Sequence, residues 1–544
     1  MKTQPIIFLF TAIILLMSFK AVSDVLENKT AVLKYTMGVL QDNFVDEVDV
    51  KELYHNAMRA AVGSLDPYCA FYDEEETKKH LQKMDGVVKI GIGVYMFYRE
   101  GYAIVSSVNA GSPAEKNDIR VGDAIVEIDG RKIYEFFIKD VDQLLQGELG
   151  TEVKLVIDRP GFGEKKKIIN RENVLRKIVP YFGMLNDSIG YIKMNHFWGM
   201  AGDSLQMALD KLNKENNLKG LILDLKNNNG GSVTEARRIA NLFLPKDKVV
   251  YYIKEKNKDF QPFKTEEKPL YPDLPLAIVA NEYSASASEL VSGALQDYDR
   301  AVIIGDTTVG KGLMQQTWNL GDGTSMYFTF AKYYTPLKRC IQKIDYSKMH
   351  LGEEETFYSE KSKSLYKTKN NRQLKDFEGI VPDVLVEKKV KLDVVRNLEI
   401  SFPFFDFVNT YRNSHESIEN PSEYNFSDVY YDLFVEFLKK ENYNFYISSQ
   451  SHLETFEQNL TDELKVSLKE DIQKIRQKLN EEKLKKVYKH KKEIKQVLEH
   501  FIVNRFYNLS GEFEYLARND QEILTALKII ADKQQFKAIL IGNE

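Results

Sequence analysis

The chain has 544 residues, 43% of them hydrophobic and 28% charged, with a net charge of -5. Its length allows three or four domains at about 150 residues each, and its composition excludes a disordered chain, a collagen-like repeat and a nucleic-acid binder acting through overall positive charge. Two cysteines, Cys69 and Cys340, are too few for a disulfide framework or a Cys-based zinc site; one bridge between them stays open, and two free thiols are the expectation. The eight histidines form no HExxH and no close pair, so no metal and no cofactor are expected.

The first residues, MKTQPIIFLFTAIILLMSFKAVSD, combine an early Lys, an apolar run from Ile6 to Phe19 and then small residues. That run is shorter than the ~20 residues of a spanning helix, which predicts a secretory signal over residues 1–23. Its cleavage site is imperfect, because Lys20 intrudes and the -3/-1 pair is Ala21 and Ser23, so an uncleaved membrane anchor stays open. Everything beyond about residue 24 is expected to be exported and soluble. Residues 24–86 read as helical, and Asp49 with Glu52 has capping-box spacing before KELYHNAMRAAVGSL. Residues 87–175 change to short β-branched runs, GIGVYMFY, YAIVSSV, DAIVEIDG and EVKLVIDRP, broken by turn residues and by a short helical VDQLLQ.

From 176 to 391, strands alternate with helical runs: SIGYIKM, SLQMALDKLN, KGLILDL, SVTEARRIANLF, PLAIVA, SELVSGALQD and AVIIG. The alternation predicts β-α-β units, a largely parallel sheet and a ligand site at the carboxyl ends of its strands. Residues 392–544 read as helical with mixed-sign charge, the pattern of a solvated or helix-packing face. The fold class is therefore α/β multidomain: an N-terminal helical segment, a β-rich domain, a βαβ core and a C-terminal helical region.

Within the β-rich segment, GIGV, SPAEKNDI and VGDAIVEIDG resemble a PDZ domain. The resemblance implies that Gly91, Ile92, Gly93 and Val94 receive a peptide's terminal carboxylate, while Val141, Leu144 and Leu145 line the pocket for its last side chain. Asn117 and Asp118 stand where such domains usually have Ala-Gly, and Asn and Asp best tolerate a left-handed turn there. Downstream come LILDLKNNNGGSVTEA, NEYSASASELVSGALQDYDRAVIIGDTTVGKGLMQQ, YYTPLKRCIQ and GIVPDV. With the signal and the PDZ-like segment ahead of them, residues 31–386 resemble the carboxyl-terminal processing peptidases, also called tail-specific proteases.

The resemblance places the nucleophile on Ser286, the general base on Lys311, a lysine-holding amide on Gln315 and a supporting carboxylate on Asp297. A lysine acts as a base only where its surroundings favour the neutral amine, and TTVGKGLMQQ has no acid close to Lys311. Asp297, eleven residues after Ser286, equally suits a helix-end side chain bonded to the next loop. The oxyanion of a tetrahedral intermediate needs two N–H donors, expected from Ala287 and from Gly230 or Gly231. Ser284 and Ser288 are expected to cap the helix. Asn229 replaces the proline usual before the two glycines, and Leu337 and Lys338 replace a small residue and a glycine.

These features point to a serine endopeptidase of the bacterial cell envelope, periplasmic or anchored to the inner membrane. Its partners are protein or peptide substrates held by their C-termini; an adaptor protein and a homo-oligomer stay open, and no nucleic acid is expected. An inactive PDZ scaffold is the alternative, disfavoured because Ser286, Lys311 and Gln315 all stand at the family's spacing. An amidase is disfavoured because it has no use for a domain that grips protein tails.

Overall fold

Long apolar runs and short alternating strands fold into separate layers here. The computed structural model describes residues 27–84, 89–174, 177–387, 392–400, 402–440 and 448–542. The expected export segment lies outside the described residues, and among those described no helix is long and apolar enough to cross a membrane. The chain divides into two units: residues 1–82, 313–331 and 344–358 form one, and the remainder forms the other.

In the smaller unit a helix over 27–43 precedes helix Val50–Gly63. Asp49 starts the second helix by accepting the Glu52 N–H at 3.0 Å, but the Glu52 carboxylate turns to Arg59. Half of the expected capping box is therefore made, because a guanidinium competes for its second partner. Strand Ala70–Tyr72 pairs antiparallel with Ser325–Tyr327, and Val62, Cys69 and Phe71 pack with Met58, Met326 and Phe328 beneath it. Cys69 and Cys340 are both free and buried.

The larger unit begins with the β-rich domain. Its sheet runs Val94–Arg99, Tyr102–Val108, Ala124–Ile128, Glu152–Arg159, Gly163–Asn170, every neighbour antiparallel. Alternate side chains such as Val153, Leu155 and Ile157 enter one core, as a period of two requires. Asp118 takes φ +55° after Asn117, the left-handed turn anticipated there.

The second sheet has the order Tyr181–Met184, Ile189–Lys193, Gly220–Asp224, Leu276–Ala280, Val302–Gly305, Val384–Leu385. Its first pair is antiparallel and the rest are parallel. Every residue of Gly220–Asp224, Leu276–Ala280 and Val302–Gly305 is buried, which is why these strands read as unbroken apolar runs. Onto this sheet the last two helices, Gln521–Ala531 and Lys533–Ile541, bring Ile523, Ile529, Ile530 and Phe536 against Ile222, Val279 and Ile304. Each such buried side chain contributes about 1.5–3 kcal/mol, so the end of the chain completes the core of a sheet that begins more than 300 residues earlier.

The rest of the C-terminal helical region has its own core, with Phe404, Phe407, Phe434, Ile494 and Leu498 at its centre. It also holds the β-rich domain. Phe97 stacks on Phe402 at 5.3 Å between ring centres, and Arg99 makes a two-pronged ion pair with Asp406 at 2.7 and 3.0 Å.

Candidate active site

Three loops leave the carboxyl ends of adjacent parallel strands and converge: 225–232 after Gly220–Asp224, 281–286 after Leu276–Ala280, and 306–312 after Val302–Gly305. They carry the glycine pair, Ser286 and Lys311 respectively. Fully buried helix Ala287–Asp297 follows Ser286 directly.

Ser286 has φ +56° and ψ -113°, a conformation that costs a residue with a Cβ about 1–3 kcal/mol and persists only where neighbours enforce it. The enforcing group is Glu289, which is completely buried. One carboxylate oxygen of Glu289 accepts the Ser286 N–H at 2.8 Å and the Lys311 N–H at 2.9 Å. The other accepts the Gly310 N–H at 2.7 Å and the Thr308 hydroxyl at 2.5 Å. The backbones of the candidate nucleophile and base are thus two hydrogen bonds apart through a single atom. Burial pushes the Glu289 carboxyl up from its ordinary value, and the bonds from Thr308, Lys311, Ser286 and Gly310 oppose that rise. The Lys311 carbonyl is held in turn by the hydroxyl of buried Tyr333.

The glycine loop is tied to the same place. Asn228 accepts the Ala285 N–H and the Ser288 hydroxyl on its carbonyl, at 3.0 and 2.8 Å, while its side chain accepts the Gly230 N–H at 2.9 Å. A Cβ on Gly230 would lie 2.6 Å from the Ala285 carbonyl oxygen and 2.8 Å from the Ser286 Cβ, so only glycine lets this loop approach. Because the Gly230 N–H is already engaged, it is not an open donor. The N–H groups of Gly231 and Ala287 have no acceptor among the described residues. This separates the two glycines, which the sequence left undivided.

Ser284 and Ser288 do not cap the helix, contrary to expectation. The Ser284 hydroxyl donates to the Leu225 carbonyl and accepts the Asn281 N–H, both at 2.9 Å, and that of Ser288 bonds to Asn228. Glu289 supplies the cap from inside the first turn, which frees both hydroxyls to lock neighbouring loops together. Glu289 and Asn228 were missed by the sequence reading. The spacing of Ser286 and Glu289, three residues apart, was the available signal for the first; nothing local marks the second.

Asp297 is buried at the far end of the helix, about 16 Å along its axis from Ser286 at 1.5 Å per residue. Its carboxylate pairs with Arg339 at 2.7 Å and accepts the Leu337 N–H at 2.8 Å. The next residue, Lys338, takes φ +64° where a glycine is usual, with its ammonium over the rings of Tyr252 and Phe260. Gln315 lies on strand Leu313–Asn319 of the smaller unit, where its amide donates to Thr329 at 3.0 Å.

In the β-rich domain, the N–H groups of Ile92 and Gly93 have no acceptor among the described residues, and Gly93 has φ +87°. Val94 opens the edge strand of the sheet, and Gly91 ends a short strand paired with Glu172–Val174. Of the expected pocket residues on helix Ile138–Leu145, Val141 and Leu145 are buried in the domain's own core, and Leu144 packs against that core partly exposed.

Residues 188–347 match Peptidase family S41, residues 104–159 match a PDZ domain, and residues 394–530 match the C-terminal helical domain of probable PDZ-proteases. A probable CtpA-like serine protease of Staphylococcus aureus is 35% identical over 301 residues, covering 55% of this chain and 60% of that one. Its counterpart in Staphylococcus haemolyticus is 33% identical over 307 residues, covering 56% and 61%. The chain thus spans less than two thirds of the length of these relatives. A solved structure, the photosystem II D1 C-terminal processing protease, is 24% identical, covers 65% of this chain and 86% of its own, and has a TM-score of 0.38. The segment in which three loops meet at Ser286 is thus similar to peptidase family S41, with a PDZ-like segment before it and a segment similar to the PDZ-protease helical domain after it.

Proposed function

We propose that this chain is an exported serine endopeptidase that holds the free C-terminus of a protein substrate on its PDZ domain and cuts the chain at Ser286. The observation that carries the reading is the Glu289 oxygen shared by the backbones of Ser286 and Lys311, which fixes a strained serine beside a lysine-bearing loop. Matches to S41 and PDZ families support the same chemistry.

In this mechanism Lys311, as the neutral amine, takes the proton from the Ser286 hydroxyl as Oγ attacks the substrate carbonyl carbon. The developing oxyanion accepts hydrogen bonds from the Ala287 and Gly231 N–H groups, which have no acceptor among the described residues. Collapse expels the amine, protonated by Lys311, and leaves an ester on Ser286. Water, deprotonated by the same lysine, then releases the new carboxylate. The open N–H groups of Ile92 and Gly93 receive the tail carboxylate, with the edge strand beginning at Val94 available for β-addition.

The test is incubation of the purified exported part with an unstructured protein, beside its Ser286→Ala variant. Cleavage by the parent and none by the variant is expected. Equal cleavage by both removes Ser286 from the chemistry, and no cleavage by either favours the scaffold reading.

A further inference from the structure

The PDZ domain and the C-terminal helical domain enclose a cavity of about 170 Å³. Four guanidiniums line it: Arg120 and Arg159 from the PDZ side, Arg412 and Arg505 from the helices. The first two are neutralised. Arg159 grips Asp123 at 2.7 and 2.9 Å and Asp118 at 2.9 Å, and Arg120 takes the other oxygen of Asp118 at 2.6 Å. The third acidic group of the lining, Glu115, is exposed and bonded to the Gly111 N–H and Asn508.

Among the described residues, the other two arginines make no ion pair with a carboxylate. Arg412 donates to the His415 carbonyl at 3.0 Å and lies over the Phe506 ring; Arg505 donates to Asn409 at 2.8 Å and lies over Phe405. The nearby acids are engaged elsewhere, Asp406 by Arg99 and Glu512 by His500 and Asn504. One terminal nitrogen of Arg505 is buried with no hydrogen-bond partner among the described residues. A buried cationic donor without an acceptor is costly, and native structures leave few of them. Burial lowers the affinity of both side chains for their protons; for Arg412 the neighbouring Arg120 adds to the effect and Asp118 opposes it, and for Arg505 the charges of Glu512 and Asp406 oppose it.

We propose that this cavity binds a small oxyanion of phosphate size, held by the guanidiniums of Arg412 and Arg505, which ties the PDZ domain to the helical domain. Aromatic faces behind both guanidiniums fix their planes, and planar forks suit a tetrahedral oxyanion better than lysine does. Neither Ser286 nor any residue of its loops lines the cavity, so the inference stands apart from the peptidase reading.

The experiment is calorimetric titration of the full chain with inorganic phosphate, sulfate and adenosine monophosphate, at ionic strength held constant with chloride. Saturable phosphate binding is expected, weakened about tenfold or more in Arg412→Gln and Arg505→Gln, and unchanged in the surface control Arg476→Gln. Binding of adenosine monophosphate as tight as that of phosphate identifies a phosphoryl end group as the ligand; weaker binding identifies the free anion. Hydrogen exchange with phosphate present should slow at 118–123 and 409–413 together. No saturable binding at millimolar phosphate, or equal binding by parent and Arg412→Gln, overturns the proposal. Should Arg505→Gln fail to fold, Arg412→Gln decides alone.

Discussion

The candidate active site and the edge of the PDZ domain each hold backbone N–H groups with no acceptor among the described residues, and they are built differently. At the peptidase loops, Gly231 and Ala287 are open while everything around them is locked by Glu289 and Asn228. At the PDZ domain, Ile92 and Gly93 are open, but Val141 and Leu145, which were expected to receive a ligand side chain, already fill the domain's own core. The first arrangement suits the oxyanion of the proposed mechanism; the second suits the proposed tail carboxylate, with Leu144 the one of the three helix residues left partly exposed. An anion is bound by fixed dipoles and needs rigidity, whereas an apolar side chain is bound by contact area and tolerates rearrangement.

The largest effect is expected at Ser286 and Lys311. Ser286→Ala and Lys311→Ala should each lower kcat by about 10⁴-fold or more with the unfolding transition in place, because they act as one unit. Retained cleavage in either, measured on an unstructured substrate, would mean the locked loops serve another purpose. Glu289→Ala should come next. It leaves three N–H groups and one hydroxyl without their acceptor, at about 1–3 kcal/mol for each that stays dry, so a lower urea midpoint and a fall in kcat of about 10³-fold should appear together. An unchanged midpoint would show that Glu289 does not hold the strained serine.

Gly230→Ala sharpens the contrast, since the added methyl meets the Ala285 carbonyl and the Ser286 Cβ. A drop in kcat of about 100-fold with KM little changed is expected, and an effect on KM alone would place the loop in substrate binding instead. The smallest effect belongs to the PDZ side. For substrates ending in Ala-Ala, Asp-Asp or an amide, the parent should prefer the first, and Leu144→Asp should reduce that preference by about tenfold or less. If all three tails are cut equally well by parent and variant, the domain does not select tails.

The loops of the candidate site were readable because their signals are local. Ser286 and Lys311 each sit in a loop announced by an apolar strand, and Asp118 occupies a turn that its residue type tolerates. The expected helix caps at Ser284 and Ser288 failed for a nonlocal reason: their partners, Leu225 and Asn228, are about 60 residues away in the chain. Asp297 carried two readings, and its bonds run to Arg339 and Leu337, partners no helical spacing could announce.

By itself the sequence determined the order of domains, the parallel strands and the loops that carry Ser286 and Lys311, since these follow from hydrophobic period and turn residues within short windows. Only the tertiary structure decided which N–H groups remain open, that Glu289 joins Ser286 to Lys311, and that the last two helices cover the peptidase sheet. Those outcomes depend on which buried donors find acceptors and which apolar faces find cover, and both are settled between residues that the chain keeps far apart.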